Sequence, residues 1–150
     1  MQKLSRLLAT LFFVGYAPFA PGTLASLLGA GLYLLIRNNT FFYLTLTVVL
    51  LVLGFWASGR AEKSFRRKDP PQIVIDEFSS VLLVYMFVPF SVKFLIMGLV
   101  FFRIFDIFKI TPVKKLQALP AGWGIMLDDI AAAIFANILL QVIRVFPLPI

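Results

Sequence analysis

The stretch NNTFFYLTLTVVLLVLGFWASG, residues 38–59, decides the fold. It carries no charged side chain, and it runs into GRAEKSFRRKDPPQ (59–72), the most polar part of the chain. About 20 consecutive apolar residues take an α-helix across the hydrocarbon core of a bilayer. Phe41 to Ala57 is therefore the best single candidate for a membrane-crossing helix. Upstream, no charge falls between Arg6 and Arg37. The composition agrees, with 61% hydrophobic residues and a mean hydropathy of +0.96, far from that of a soluble domain.

Working outward, residues 3–16 read as a helix lying in the membrane interface, with Lys3 and Arg6 at the water side. The basic start followed by an apolar run has the outline of a signal peptide. That reading is set aside because the apolar stretch continues through Pro18, Pro21 and Gly22 into a second run, with no polar domain behind it. YAPFAPGTLAS (16–26) breaks the first helix, since proline removes backbone donors and glycine permits a turn. Thr23 is the expected N-cap of a helix over 24–36. Further helices are expected over 41–57, 76–88, 94–108 and 128–145. A turn at Pro89–Lys93 and a loop over 111–124, with Pro112, Pro120, Gly122 and Gly124, separate the later ones. The expected fold is all-α: a multi-pass helical membrane protein with about five apolar helices, an N-terminal interfacial helix and short re-entrant or loop motifs, in one domain over residues 1–150.

Lys and Arg concentrated in cytoplasmic loops set the orientation of such a chain. Arg60, Lys63, Arg66, Arg67 and Lys68 place the loop after helix 41–57 in the cytoplasm. Alternation then puts Pro21-Gly22-Thr23, the start of helix 76–88, the end of helix 94–108 with Lys109, Lys114 and Lys115, and the start of helix 128–145 on that same side. The net charge of +7 is assigned to this asymmetry and to contact with anionic membrane lipid, not to nucleic acid. One strain remains. Several apolar runs reach only about 12–15 residues, short of a full span, so those helices either tilt or border a sunken polar cavity.

Five of the seven acidic residues fall in three short motifs at the edges of apolar segments: Asp76 and Glu77 in VIDEF (74–78), Asp106 in FRIFDIFK (102–109), and Asp128 and Asp129 in GIMLDDIA (124–131). Topology built from Lys and Arg alone brings all three to one membrane face. Carboxylates are costly in an apolar setting, and a divalent cation or an Arg/Lys cluster is the natural compensation. The chain has no His and no Cys. That excludes imidazole and thiol chemistry and leaves a hard, oxygen-bound cation such as Mg²⁺. Each pair also has a plain reading as an acid in the first turn of a helix, where the macrodipole favours it. Two such pairs plus Asp106 suit one or two Mg²⁺ ions better than two caps. Arg103, Asp106 and Lys109, spaced i, i+3, i+6, form one helical stripe. It is either an internal salt bridge or a phosphate site in which Arg103 and Lys109 hold the anion.

These residues together resemble the phosphatidylglycerophosphatase A family, from about Gly15 to Ala133. The resemblance rests on APFAPGTLAS (17–26), VIDEF, FRIFDIFK followed by Pro112, and GWGIMLDD (122–129). It implies an all-α, membrane-bound, Mg²⁺-dependent phosphatase that removes the terminal phosphate of phosphatidylglycerophosphate to give phosphatidylglycerol. The family's acidic positions fall on Asp76, Glu77, Asp106, Asp128 and Asp129, which become the catalytic candidates, with Asp76, Glu77, Asp128 and Asp129 assigned to metal. Its phosphate-side positions fall on Arg103, Lys109, Gly22 and Thr23. The chain departs from the family at Ala25, Ser80, Ala121, Ala133, Ile110 and Thr111, which are packing and turn positions. The implied setting is the inner or plasma membrane, with the active site facing the cytoplasm. A small cation transporter using the same carboxylates as an ion path is the competing class.

Overall fold

The computed structural model describes residues 2–108, 116, 118–120 and 122–146. Lys109, Ile110, Thr111, Pro112, Lys114, Lys115 and Ala121 lie outside the described residues. Among those described there are six α-helices and no strand: α1 (Gln2–Ala9), α2 (Pro21–Ile36), α3 (Thr40–Phe65), α4 (Ile75–Val84), α5 (Val92–Phe108) and α6 (Trp123–Val145), with a single 3₁₀ turn at Val14–Tyr16.

Two helices, not five, are long and apolar enough to cross a membrane by length and composition: α3, with 26 residues, and α6, with 23. The apolar helix α2 has 16 residues and α5 has 17. At 10 residues, α4 is only about 15 Å long at 1.5 Å per residue. It is also the most enclosed helix, packed by α2, α3, α5 and α6. A helix that stops inside a bundle leaves its last carbonyls without partners. Here distant side chains supply them. Asn137 of α6 donates to the Val84 and Met86 carbonyls at 2.8 and 2.9 Å, Gln141 donates to Met86, and the Tyr43 hydroxyl of α3 donates to Leu82. Stacked Tyr33 and Tyr85 rings, 4.5 Å apart, close that end of the core.

Several boundaries differ from the expected ones for identifiable reasons. The first helix ends at Ala9 and not at residue 16, because Leu11, Phe12 and Phe13 all take positive φ, which an α-helix does not admit. Helix α3 runs eight residues past Ala57 into the polar segment. Ala57 and Ala61, one turn apart, stay buried against Ala9, Ile73 and Ile75. Helix α4 stops at Val84, not at 88. Helix α6 starts at Trp123, not at Asp128, behind Gly122 at φ 78°. A Cβ on Gly122 would stand 2.3 Å from the Gly59 backbone nitrogen, so glycine is required there by both conformation and contact. Thr23 is not an N-cap. Ala20 holds that position and Pro21 opens the helix.

The chain alternates direction from α2 to α6. One end of the bundle therefore collects the starts of α2, α4 and α6 and the ends of α3 and α5. Arg60, Lys63, Arg66 and Arg67 lie at this end. Arg37, Lys93 and Arg144 lie at the other. Much of the outer surface is apolar, including Leu35 on α2, Val48 and Val52 on α3, Ile96 on α5 and Ile138 on α6.

Candidate active site

At the basic end, a cavity of about 320 Å³ is lined by Ala20, Pro21 and Gly22 at the start of α2, by Asp76 and Glu77 in the first turn of α4, by Arg103 and Asp106 near the end of α5, and by Asp128 and Asp129 in α6, with Asp69, Pro71, Ile73, Ile107 and Ile125 completing it. All five acids singled out from the sequence meet in this one cavity, and Asp69 joins them. Six carboxylates thus face one guanidinium among the described residues. Asp76, Asp106, Asp128 and Asp129 are each exposed to 9% or less, so water does little to screen their repulsion.

The first turn of α4 presents Asp76 and Glu77 to the cavity together. Neither is the cap, which falls on Val74. Glu77 reaches the start of α2 because Gly22 has no side chain. A Cβ there would lie 2.0 Å from Glu77 Oε1 and 3.4 Å from Arg103 Nη1. Arg103 bridges the two sides, with Nη1 at 2.7 Å from Asp106 Oδ2 and 3.9 Å from Glu77 Oε1. The i, i+3 stripe read from the sequence is therefore a real ion pair, and it also faces the cavity. Arg103 Nε is buried and has no hydrogen-bond partner. Lys109 lies outside the described residues. Thr23 lines a neighbouring apolar groove and not the carboxylate cavity.

The donor set fits a hard cation. Asp76, Glu77 and Asp129 offer one oxygen each within 4.8 Å of one another, as do Asp106, Asp128 and Asp129. Asp129 belongs to both groups. The buried oxygens Asp76 Oδ1 and Glu77 Oε2 have no hydrogen-bond partner, a costly state for a buried polar atom and one that a cation relieves.

Helix α4 is too short to span a membrane, and its acids titrate at the cavity wall. Burial first, then the charges of Glu77 and Asp129, hold Asp76 well above the usual carboxylate range. Burial also raises Glu77, with the hydrogen bond to Asp76 and the charge of Arg103 working against it. Both acids thus bind protons more tightly folded than unfolded. Without metal, their contribution is fully present below about pH 4 and is lost as pH rises through the raised values. In EDTA, thermal stability should therefore fall more steeply from pH 4 to 8 in the native protein than in Asp76→Asn. Equal slopes with and without Asp76 would refute this.

One acid that the sequence reading passed over organises the site from behind. Glu62 of α3 accepts from the Gly122 nitrogen at 2.9 Å and from the Asp69 nitrogen at 3.3 Å. It ties Gly122, at the start of α6, to the loop that carries Asp69. Its one sequence signal is an acid inside an otherwise basic run.

Comparison with known proteins bears on this arrangement. The profile of the phosphatidylglycerophosphatase A family matches residues 7–144. The chain belongs to this family. It is 35% identical over 147 residues to a Bacteroides thetaiotaomicron protein named "Putative phosphatidylinositol-3-phosphatase", with 92% of each chain covered. It is 34% identical over 142 residues to phosphatidylglycerophosphatase A of Haemophilus influenzae, covering 92% of this chain and 87% of the relative. With phosphatidylglycerophosphatase A of Escherichia coli it shares 32% identity over 133 residues, covering 87% and 77%. No solved structure matches the chain. Membership makes it one of a family of phosphatases, and the four motifs that carried the resemblance all lie within the matched region. Of the positions where it departs from the family, Ala25, Ser80 and Ala133 are buried packing positions.

Proposed function

We propose that this protein is a Mg²⁺-dependent lipid phosphatase that removes the terminal phosphate of phosphatidylglycerophosphate and leaves phosphatidylglycerol. One observation carries the reading: six carboxylates and one guanidinium converge on a single cavity at the basic end of an apolar helical bundle. Asp76, Glu77, Asp128 and Asp129 would hold the metal. When bound, Mg²⁺ supplies charge neutralisation for the phosphoryl group and lowers the pKa of water.

The remaining work belongs to the chain. Arg103 binds a phosphate oxygen through the side of its guanidinium left open by Asp106, and Asp106 holds that guanidinium in place. Gly22 keeps the start of α2 free of a side chain, so phosphate oxygens can approach the helix N-terminus. Lys109, the other basic residue of the FRIFDIFK motif, is the further phosphate-side residue in this reading, and Thr23, which lines the neighbouring groove, is left out of it. One of the carboxylates takes the proton from the attacking water. With no Cys and no His, the chain offers neither a thiol nor an imidazole nucleophile. A cation path is the weaker reading, because the acids gather at one end beside Arg103 and not near the middle of the bundle.

The test is release of inorganic phosphate from defined lipids by the purified protein. Phosphatidylglycerophosphate should be cleaved with Mg²⁺, not after EDTA, and poorly with Zn²⁺. Phosphatidylinositol 3-phosphate, the substrate class in the name of the Bacteroides relative, forms the second arm. Preference for it would move the assignment to that headgroup while keeping phosphomonoester hydrolysis. Full activity after rigorous chelation would sink the metal reading.

The asymmetry of Lys and Arg supports a multi-pass arrangement in the inner or plasma membrane, with the cavity facing the cytoplasm and anionic lipid around the basic end. The chain functions as one domain in this reading. Having no native Cys, it suits single-cysteine labelling. Arg67→Cys should stay unlabelled by an impermeant thiol reagent on intact cells, and Asn38→Cys should label. The opposite pattern refutes the orientation.

A further inference from the structure

Beside the carboxylate cavity, α2 and α5 leave a groove of about 430 Å³ with an apolar lining. Leu27 forms one wall, and Ile96, Val100 and Ile104 form the other. The last three are spaced four apart and so line one face of α5. All four are 42–56% exposed, so the groove opens to the outside of the bundle along its length. Two residues, Arg103 and Ile107, line both the groove and the carboxylate cavity. Arg103 turns its guanidinium toward Asp106 and Glu77, and its alkyl stem is suited to the apolar side. From Arg103 back to Ile96 the groove follows α5 for about 10 Å at 1.5 Å per residue.

We infer that this groove holds the headgroup-proximal part of one acyl chain of the substrate lipid. The inference rests on the lipid-phosphate reading above. The occupant is chosen by continuity: a ligand that touches both spaces must join a phosphate to a long apolar chain, which is the construction of a phospholipid. A packed helix, about 10 Å or more across, or a second copy of this chain would fill the groove but give no role to the shared Arg103. The groove is therefore the lateral entrance to the site. It selects for chain structure where the cavity selects for phosphate.

Two measurements test it. In the first, phosphatidylglycerol carrying a diazirine within one acyl chain is irradiated with the native protein in nanodiscs, and the adducts are mapped. Enrichment over residues 23–27 and 96–107, relative to the exposed face of α3, is expected. Adducts spread evenly over all outer faces overturn the proposal. So does a groove shielded by a second copy, seen as a dimer that Leu27→Trp dissociates. In the second, Leu27→Trp and Val100→Trp should raise KM for dioleoyl phosphatidylglycerophosphate about tenfold relative to the dihexanoyl lipid. Val48→Trp, on the outer face of α3, should leave that ratio unchanged. An equal effect on both lipids, or none on either, overturns the proposal. The crosslinking does not depend on turnover. Enriched adducts in a protein that releases no phosphate would sink the phosphatase reading and keep the groove, and active enzyme without enrichment would do the reverse.

Discussion

Asp129→Asn is expected to lower phosphate release at least ~100-fold while making the metal-free protein more stable. Asp129 is the carboxylate common to both groups of candidate ligands, so its charge serves any cation held at either. The amide keeps the size of the side chain and removes the charge. A 100-fold loss corresponds to about 2.7 kcal/mol of transition-state stabilisation, a modest demand for a ligand in a poorly screened cavity. The gain in stability has the same origin. Asp129 is 3% exposed and its charge is one of those that oppose ionisation of Asp76. Removing it relieves repulsion among buried carboxylates. A gain on the order of 1 kcal/mol would raise Tm by roughly 2–4 °C in EDTA. Mn²⁺ binding followed by electron paramagnetic resonance gives a readout apart from turnover and should weaken at least tenfold. Loss of activity together with loss of stability would mean that Asp129 is structural. Normal activity would remove it from the site.

The sequence announces some of this arrangement and conceals the rest for physical reasons. The uncharged run over 38–59 and the basic segment behind it are local signals, and they led directly to α3 and to the shared end on which the acids meet. The Arg103–Asp106 pair was visible because helical spacing alone brings i and i+3 together. The length of α4 was not visible. Its apolar run continues to Val88, but the helix stops at Val84, where Tyr43 and Asn137 take the Leu82 and Val84 carbonyls and Gln141 takes that of Met86 just beyond. Those partners are distant in the chain and carry no local mark. The count of membrane-length helices failed for the same reason, since an apolar segment can be enclosed by protein as well as by lipid. Thr23 was misplaced because Pro-Gly-Thr permits a cap at Thr23 or a helix starting at Pro21, and tertiary contact decides between them. Asp69 and Glu62 were passed over because they sit in the polar segment, where an acid is unremarkable until the fold shows what it faces.

Arg103→Ala should reduce kcat/KM at least ~100-fold, and Arg103→Lys should recover part of that loss, leaving about a tenfold deficit. The argument turns on which of two roles the guanidinium fills. As a countercharge only, it would serve to lessen repulsion between Asp106, at 2.7 Å, and Glu77, at 3.9 Å. As a phosphate ligand, it would use the donors those acids leave open, and the buried Nε without a partner is such a donor. Lysine keeps the charge and loses the planar fork that meets two phosphate oxygens at once. A countercharge role therefore predicts near-full recovery with Arg103→Lys. Phosphate binding predicts the residual deficit, because the loss is one of geometry. Competitive inhibition by inorganic phosphate separates the roles whatever the value of kcat. Its inhibition constant should weaken in both variants, more in Arg103→Ala, while protein levels in the membrane stay unchanged. An unchanged constant in Arg103→Ala would confine this residue to holding the carboxylates together, and the phosphate would then have to be held by groups other than Arg103.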